Sequence, residues 1–124
     1  MWMQVLVVGL GGFVGANLRY ALVLLMGTQA FPWATLSANL IGCFGLAAFA
    51  TWSAAHSALG AEARLLVTTG FFGALTTFST FSYETLILWL RADYGLAVGY
   101  LLASVVLGLG TAWAGHTLAA RLLV

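Results

Sequence analysis

The densest polar pattern in the chain is Gly70-Phe71-Phe72-Gly73-Ala74-Leu75-Thr76-Thr77-Phe78-Ser79-Thr80-Phe81-Ser82, two glycines followed by five hydroxyl residues within seven positions. Phe78 and Phe81 are spaced i,i+3 and Thr76 and Thr80 i,i+4, so on a helix each pair shares a face. Ring edges are the positive part of the aromatic quadrupole. Two rings turned edge-on can therefore sit beside a small anion without offering a full charge, and neighbouring hydroxyls can replace part of its water shell. The same spacing also serves plain ring packing. Glycine frees the backbone and hydroxyls compete for its hydrogen bonds, so the segment is expected to break or unwind. Freed carbonyls then need partners, and a cation is one candidate. If the segment lies on a two-fold axis, carbonyls from two copies would surround one central ion.

Other polar residues stand out against an apolar background. Asn39 sits in Thr35-Leu36-Ser37-Ala38-Asn39, with Thr35 one turn earlier on the same face. Its amide can glue helices together or donate to an anion. Arg19 follows Gly11-Gly12-Phe13-Val14-Gly15-Ala16-Asn17-Leu18. It reads either as a side chain snorkelling to headgroups or as an anion-attracting charge in a vestibule. Glu84 follows at the end of the hydroxyl-rich face and reads most simply as a solvated helix-end carboxylate. His56 and His116 lack metal-ligand spacing, and Cys43, the single cysteine, reads as a small buried packer. No nucleophile–base pair, nucleotide loop or Cys/His cluster is present, so the chain does not read as an enzyme.

The elements that must position these residues are membrane helices. Of the 124 residues, 63% are hydrophobic and only 6% charged, against about a quarter charged in soluble domains. A bilayer-crossing helix needs about 20 mostly apolar residues, and stretches at residues 3–26, 31–54, 63–90 and 94–122 supply four. Trp33 and Trp52 bracket the second, an interval that rises roughly 28 Å, close to hydrocarbon thickness. Pro32 is expected just inside the start of that helix, where its missing N–H costs nothing. The first stretch is long, lacks a positive n-region and contains Asn17 and Arg19, so it reads as a permanent span rather than a signal peptide. Residues 1–124 therefore form one all-α membrane domain of four transmembrane helices, the third broken mid-membrane. Gly11 with Gly15, and Gly95 with Gly99, give small-xxx-small patterns for close helix approach.

A net charge of +1 with scattered arginines excludes a nucleic-acid partner. Arg64 and Arg121 fall on one side of the four-span arrangement, and Arg91 with a forward-snorkelling Arg19 on the other. Loop charge sets orientation. A tally of two against two makes both orientations accessible, and with them an antiparallel dimer about an axis in the membrane plane.

The three segments Gly11 to Tyr20, Asn39-Leu40-Ile41-Gly42 and Gly73 to Ser82 together resemble the CrcB/Fluc family of fluoride channels. The match extends over the whole chain in length and span number. Ala74 stands where the family's Gly-Gly-Leu-Thr-Thr has its second glycine. The resemblance implies an antiparallel, dual-topology homodimer in the cell inner membrane, with two fluoride pores and one structural, non-transported sodium ion. The sodium would take backbone carbonyls of Gly73 and Thr76. Phe78, Phe81 and Asn39 would line the pore with Ser79, Thr80, Ser82, Ser104, Glu84 and Thr35, and Arg19 would stand in the vestibule. The implied role is passive export of fluoride, lowering its toxicity in the cytoplasm. A small proton-coupled exporter would be expected to hold a carboxylate deep in its first span, and residues 3–26 contain none. A non-transporting accessory protein would have no use for a polar, broken segment.

Overall fold

The structure, a computed structural model, describes all 124 residues. Helix α1 runs over Trp2–Met26 and α2 over Trp33–Ala55. The next helical stretch, α3, is α-helical over Ala61–Leu65, π-helical over Leu66–Phe72 and α-helical again over Gly73–Leu75. Helix α4 follows at Phe78–Leu90 and α5 at Tyr94–Arg121. Counting α3 and α4 as one span, four segments are long and apolar enough to cross a membrane: Trp2–Met26, Trp33–Ala55, Ala61–Leu90 and Tyr94–Arg121. These are the four expected spans with ends moved by one or two residues. Pro32 is the residue before α2 rather than its first helical residue, and the Leu36 amide bonds its carbonyl at 3.1 Å.

Only 15 of the 124 residues are buried. The apolar surface is turned outward, the arrangement that a hydrocarbon solvent permits. The small core joins α2, α4 and α5 through Leu36, Leu88, Ala97 and Tyr100. Helix α5 packs along α2, and α1 packs along α3. His116 on α5 meets the Thr51 hydroxyl of α2 at 2.8 Å, while His56 stacks on Trp52.

Glycines set how closely these pairs approach. A Cβ on Gly11 would fall 2.1 Å from the Leu66 carbonyl oxygen, and one on Gly15 would fall 2.1 Å from that of Phe71. On the facing helix, a Cβ on Gly70 would fall 2.8 Å from the Val8 carbonyl oxygen. Backbone thus rests on backbone along the α1–α3 contact, which dispersion favours and any side chain would prevent. Gly95 and Gly99 have no atom within 4 Å of an added Cβ, so the second small-xxx-small pattern packs against nothing in this chain.

Gly15→Ala drives a methyl into backbone that cannot yield, and should lower unfolding stability by about 2 kcal/mol or more. Gly9→Ala, with open space around the added methyl, should leave it within about 0.5 kcal/mol. Thermal unfolding of the purified protein in detergent checks the pair.

Candidate functional site

The chain leaves helical geometry at two residues. Thr76 has φ −82° and ψ 155°, and Thr77 has φ −152° and ψ 120°. Extended residues advance about 3.3 Å each against 1.5 Å in a helix, so they carry the next turn away from the carbonyls it would have met. Gly73, by contrast, is helical at φ −61° and ψ −33°. Gly70 is likewise inside the helix, where it serves the α1 contact. The glycines of the motif therefore do not form the interruption; the two threonines do. Ala74 lies in the last helical turn, where a Cβ is ordinary.

Side chains take over the orphaned backbone groups. The amide of Thr77 donates to Asn39 Oδ1 at 2.7 Å, and Asn39 Nδ2 donates to the Thr77 carbonyl at 3.1 Å. Asn39 thus pairs with the Thr77 peptide as a neighbouring strand would. The Thr80 amide goes to Thr77 Oγ1 at 3.2 Å, an N-cap that starts α4. Upstream, Thr76 Oγ1 donates to the Phe72 carbonyl at 3.0 Å, and Arg19 Nε donates to the Ala74 carbonyl at 3.2 Å. The amides of residues 77 and 80 are turned elsewhere, so the carbonyls of Gly73 and Thr76 have no helical donor.

This geometry alters several sequence expectations. Thr76 and Thr80 do not share a helix face, because Thr76 is not helical; Thr80 instead receives the Thr77 hydroxyl at 3.0 Å. Arg19 is partly buried on Ala74 instead of reaching forward to a loop, so the loop tally becomes two arginines against one. Ser79 Oγ lies 3.3 Å from Thr77 Oγ1, and Ser82 donates to the Phe78 carbonyl of its own helix at 2.9 Å.

Beside the junction is a cavity of about 310 Å³. Asn39, Thr76, Phe78, Phe81 and Ser104 line it together, with Cys43 among its walls. Phe78 is 80% exposed and its ring centroid lies 5.7 Å from that of Phe81. Phe81 meets Tyr100 edge to face, centroids 5.1 Å apart at 69°. Ser104 Oγ is buried and has no protein partner, and the residue is part of the cavity wall. A spare hydroxyl, the second N–H of Asn39 and two rings give donors and positive edges with no cationic side chain among them.

Glu84 and Thr35 stand apart from that cavity, in a second one of about 380 Å³ with Tyr83 and Arg91. Glu84 is no solvated helix-end carboxylate. Its Oε1 accepts from Thr35 at 2.9 Å and its Oε2 from Tyr100 at 2.7 Å. Tyr100, fully buried, joins the two cavities' walls, since its ring meets Phe81 and its hydroxyl meets Glu84. Sequence reasoning missed it. The available signal was its i,i+4 spacing from Ser104 in the apolar first half of the span.

Fold and site together define a multi-pass, all-helical membrane protein with an uncharged, mostly apolar cavity, carrying a few polar side chains, beside an interrupted helix. Residues 6–116 match the family described as CrcB-like protein, Camphor Resistance (CrcB). The chain belongs to this family. It is 48% identical over 117 residues to the "Fluoride-specific ion channel FluC" of Oceanobacillus iheyensis, which covers 94% of this chain and 91% of that protein. Proteins of the same name from Dehalococcoides mccartyi and Rhizobium leguminosarum bv. trifolii are 42% and 41% identical. The first comparison covers 86% of this chain and 84% of the relative, the second 90% and 92%.

Tyr100→Phe leaves Glu84 Oε2 without its donor. It should destabilise the protein by about 1–3 kcal/mol, and in a double-mutant cycle with Glu84→Gln the two losses should fall well short of adding. Thermal unfolding of the four proteins measures both.

Proposed function

We propose that the chain is a fluoride-specific ion channel of the inner membrane that lets fluoride leave the cytoplasm passively. The observation that carries this reading is the cavity of Asn39, Phe78, Phe81 and Ser104, which offers polar hydrogens and ring edges and no cationic group. A small, strongly hydrated anion gives up water only to many short-range donors, and a fixed cation would hold it too tightly to conduct. The names of the relatives agree with that chemistry.

In this reading fluoride passes the edges of Phe78 and Phe81, touches Ser104 and Asn39, and reaches the second cavity past Glu84 and Thr35. Ser79, Thr80 and Ser82 supply further hydroxyls along α4. The cavity is walled by one chain on one side only, with Phe78 standing 80% exposed. A second copy completes it in our proposal, inserted the opposite way to give an antiparallel homodimer with two pores. A loop bias of a single arginine is a weak instruction for orientation and is compatible with both insertions.

The donor chemistry at the interruption fits a hard cation. The carbonyls of Gly73 and Thr76 lack helical donors, and neutral oxygen ligands suit a small monovalent ion. Gly73 and Thr76 would hold a structural sodium ion, which neutralises their partial charge and is not transported. The Asn39 pairing and the Thr77 N-cap keep the amides of Thr77 and Thr80 engaged elsewhere, so those carbonyls stay free of helical donors.

Fluoride efflux from proteoliposomes, read with a fluoride electrode, tests the reading. Downhill flux with no accompanying proton movement is expected; proton-coupled flux identifies an exporter, and absence of flux an accessory protein. Phe81→Ile keeps bulk and removes a ring edge, so flux should fall by about tenfold, the loss of about 1.4 kcal/mol of ion stabilisation. Unchanged flux in a variant that still assembles rejects the role given to the ring.

A further inference from the structure

Arg19 is placed by a register that the cavity does not involve. Gly11, Gly15 and Arg19 follow one another at intervals of four, so they lie on one face of α1. The two glycines draw that face against α3 backbone to backbone, as far as the last helical turn, where a Cβ on Gly15 would stand 3.0 Å from the Leu75 amide nitrogen. One turn further on, Arg19 Nε donates to the Ala74 carbonyl at 3.2 Å. That carbonyl is one that the extended residues Thr76 and Thr77 separate from its helical donor. The guanidinium therefore supplies a missing rung at the C-terminal end of α3, as Asn39 of α2 does for Thr77. The interruption is held from both sides, by α1 before it and by α2 after it.

We infer that Arg19 is a positioning residue that clamps the end of α3, and that it acts through the placed Nε–H rather than through its charge. By fixing Ala74 it steadies the end of the helix that carries the Gly73 carbonyl next to it and, two residues on, the Thr76 carbonyl. The flux readout below rests on the fluoride-channel reading; the stability readout does not.

Lysine and glutamine separate the two roles. The Nε2 of glutamine stands as many bonds from Cα as the Nε of arginine, so Arg19→Gln keeps a donor in place and removes the charge. Arg19→Lys keeps the charge and puts a methylene where the donor was. Thermal unfolding in detergent and fluoride efflux are measured for both at low and high ionic strength, since the Debye length falls from about 30 Å at 0.01 M to about 3 Å at 1 M. A clamp predicts that Arg19→Gln passes fluoride within about threefold of the parent at both strengths, while Arg19→Lys is slowed by about tenfold at both. It also predicts that Arg19→Lys unfolds at the lower temperature, or fails to fold where Arg19→Gln folds. The inference is overturned if Arg19→Lys behaves as the parent and Arg19→Gln is slowed at low salt alone, which is the signature of a vestibule charge. Equal loss or equal retention in the two variants overturns it too, as does failure of Arg19→Gln to fold where Arg19→Lys folds. A parent protein that passes no fluoride refutes the channel reading, and the order of unfolding temperatures then decides the clamp.

Discussion

The pairing of the Asn39 side chain with the Thr77 peptide is the interaction on which the rest of the arrangement depends. An apolar solvent offers no hydrogen bonds, so backbone that leaves a helix inside it must find protein partners. Asn39 supplies a donor and an acceptor to the same residue, at 3.1 and 2.7 Å. An amide can do this and a carboxylate cannot, because only the amide carries both functions at once. With Thr77 held extended, its hydroxyl is free to cap α4, and that cap sets the direction in which Phe78 and Phe81 leave the helix start. One side chain on α2 thus links an interruption in the backbone to the orientation of two rings.

Close approach makes such short side chains sufficient. Asparagine reaches only a few ångströms, so α2 must lie near the interruption. Gly42, one turn after Asn39 in register with Thr76, allows this: a Cβ there would fall 2.2 Å from Thr76 Cγ2. On the opposite side Gly11, Gly15 and Gly70 let α1 lie against α3. Glycine costs helix stability in water, but in hydrocarbon the alternative conformations are few and tight packing is the principal attraction between helices. Gly11, Gly15, Gly70 and Gly115 are surfaces for contact with the backbone of a neighbouring helix. Gly27, at φ 64°, is the one that uses its conformational freedom, where it ends α1.

The four spans were legible because hydrophobic length is a local property. Trp33 and Trp52 mark a membrane thickness with no knowledge of what packs where. The motif at residues 70–82 also pointed to the right segment, since glycine and hydroxyl content is read along the chain. Partner choice was less legible because it depends on pairs far apart in sequence. Thr35 and Glu84, Asn39 and Thr77, and Arg19 and Ala74 are separated by 49, 38 and 55 positions. Glu84 therefore read as a solvated helix-end acid, and Tyr100, whose hydroxyl and ring face different neighbours, drew no reading of its own. The resemblance of three short motifs to one family singled out Thr35, Asn39, Arg19 and Glu84 together, but not their partners Thr77 and Ala74, nor Tyr100.

Scarcity of charge has a structural consequence as well as a chemical one. Of the four arginines, two spend nitrogens on backbone carbonyls at helix ends: Arg19 on Ala74, and Arg64 on Leu59 and His56. Neither adds a cation to the walls of the cavity that Phe78, Phe81 and Ser104 share. The single carboxylate near the path is occupied in the same way, each oxygen of Glu84 accepting from a hydroxyl. Arg19, Arg64 and Glu84 thus serve as hydrogen-bonding partners that finish the fold. What faces the cavity is a mostly apolar surface in which a few neutral polar side chains, Asn39, Thr76 and Thr77 among them, stand beside two aromatic rings.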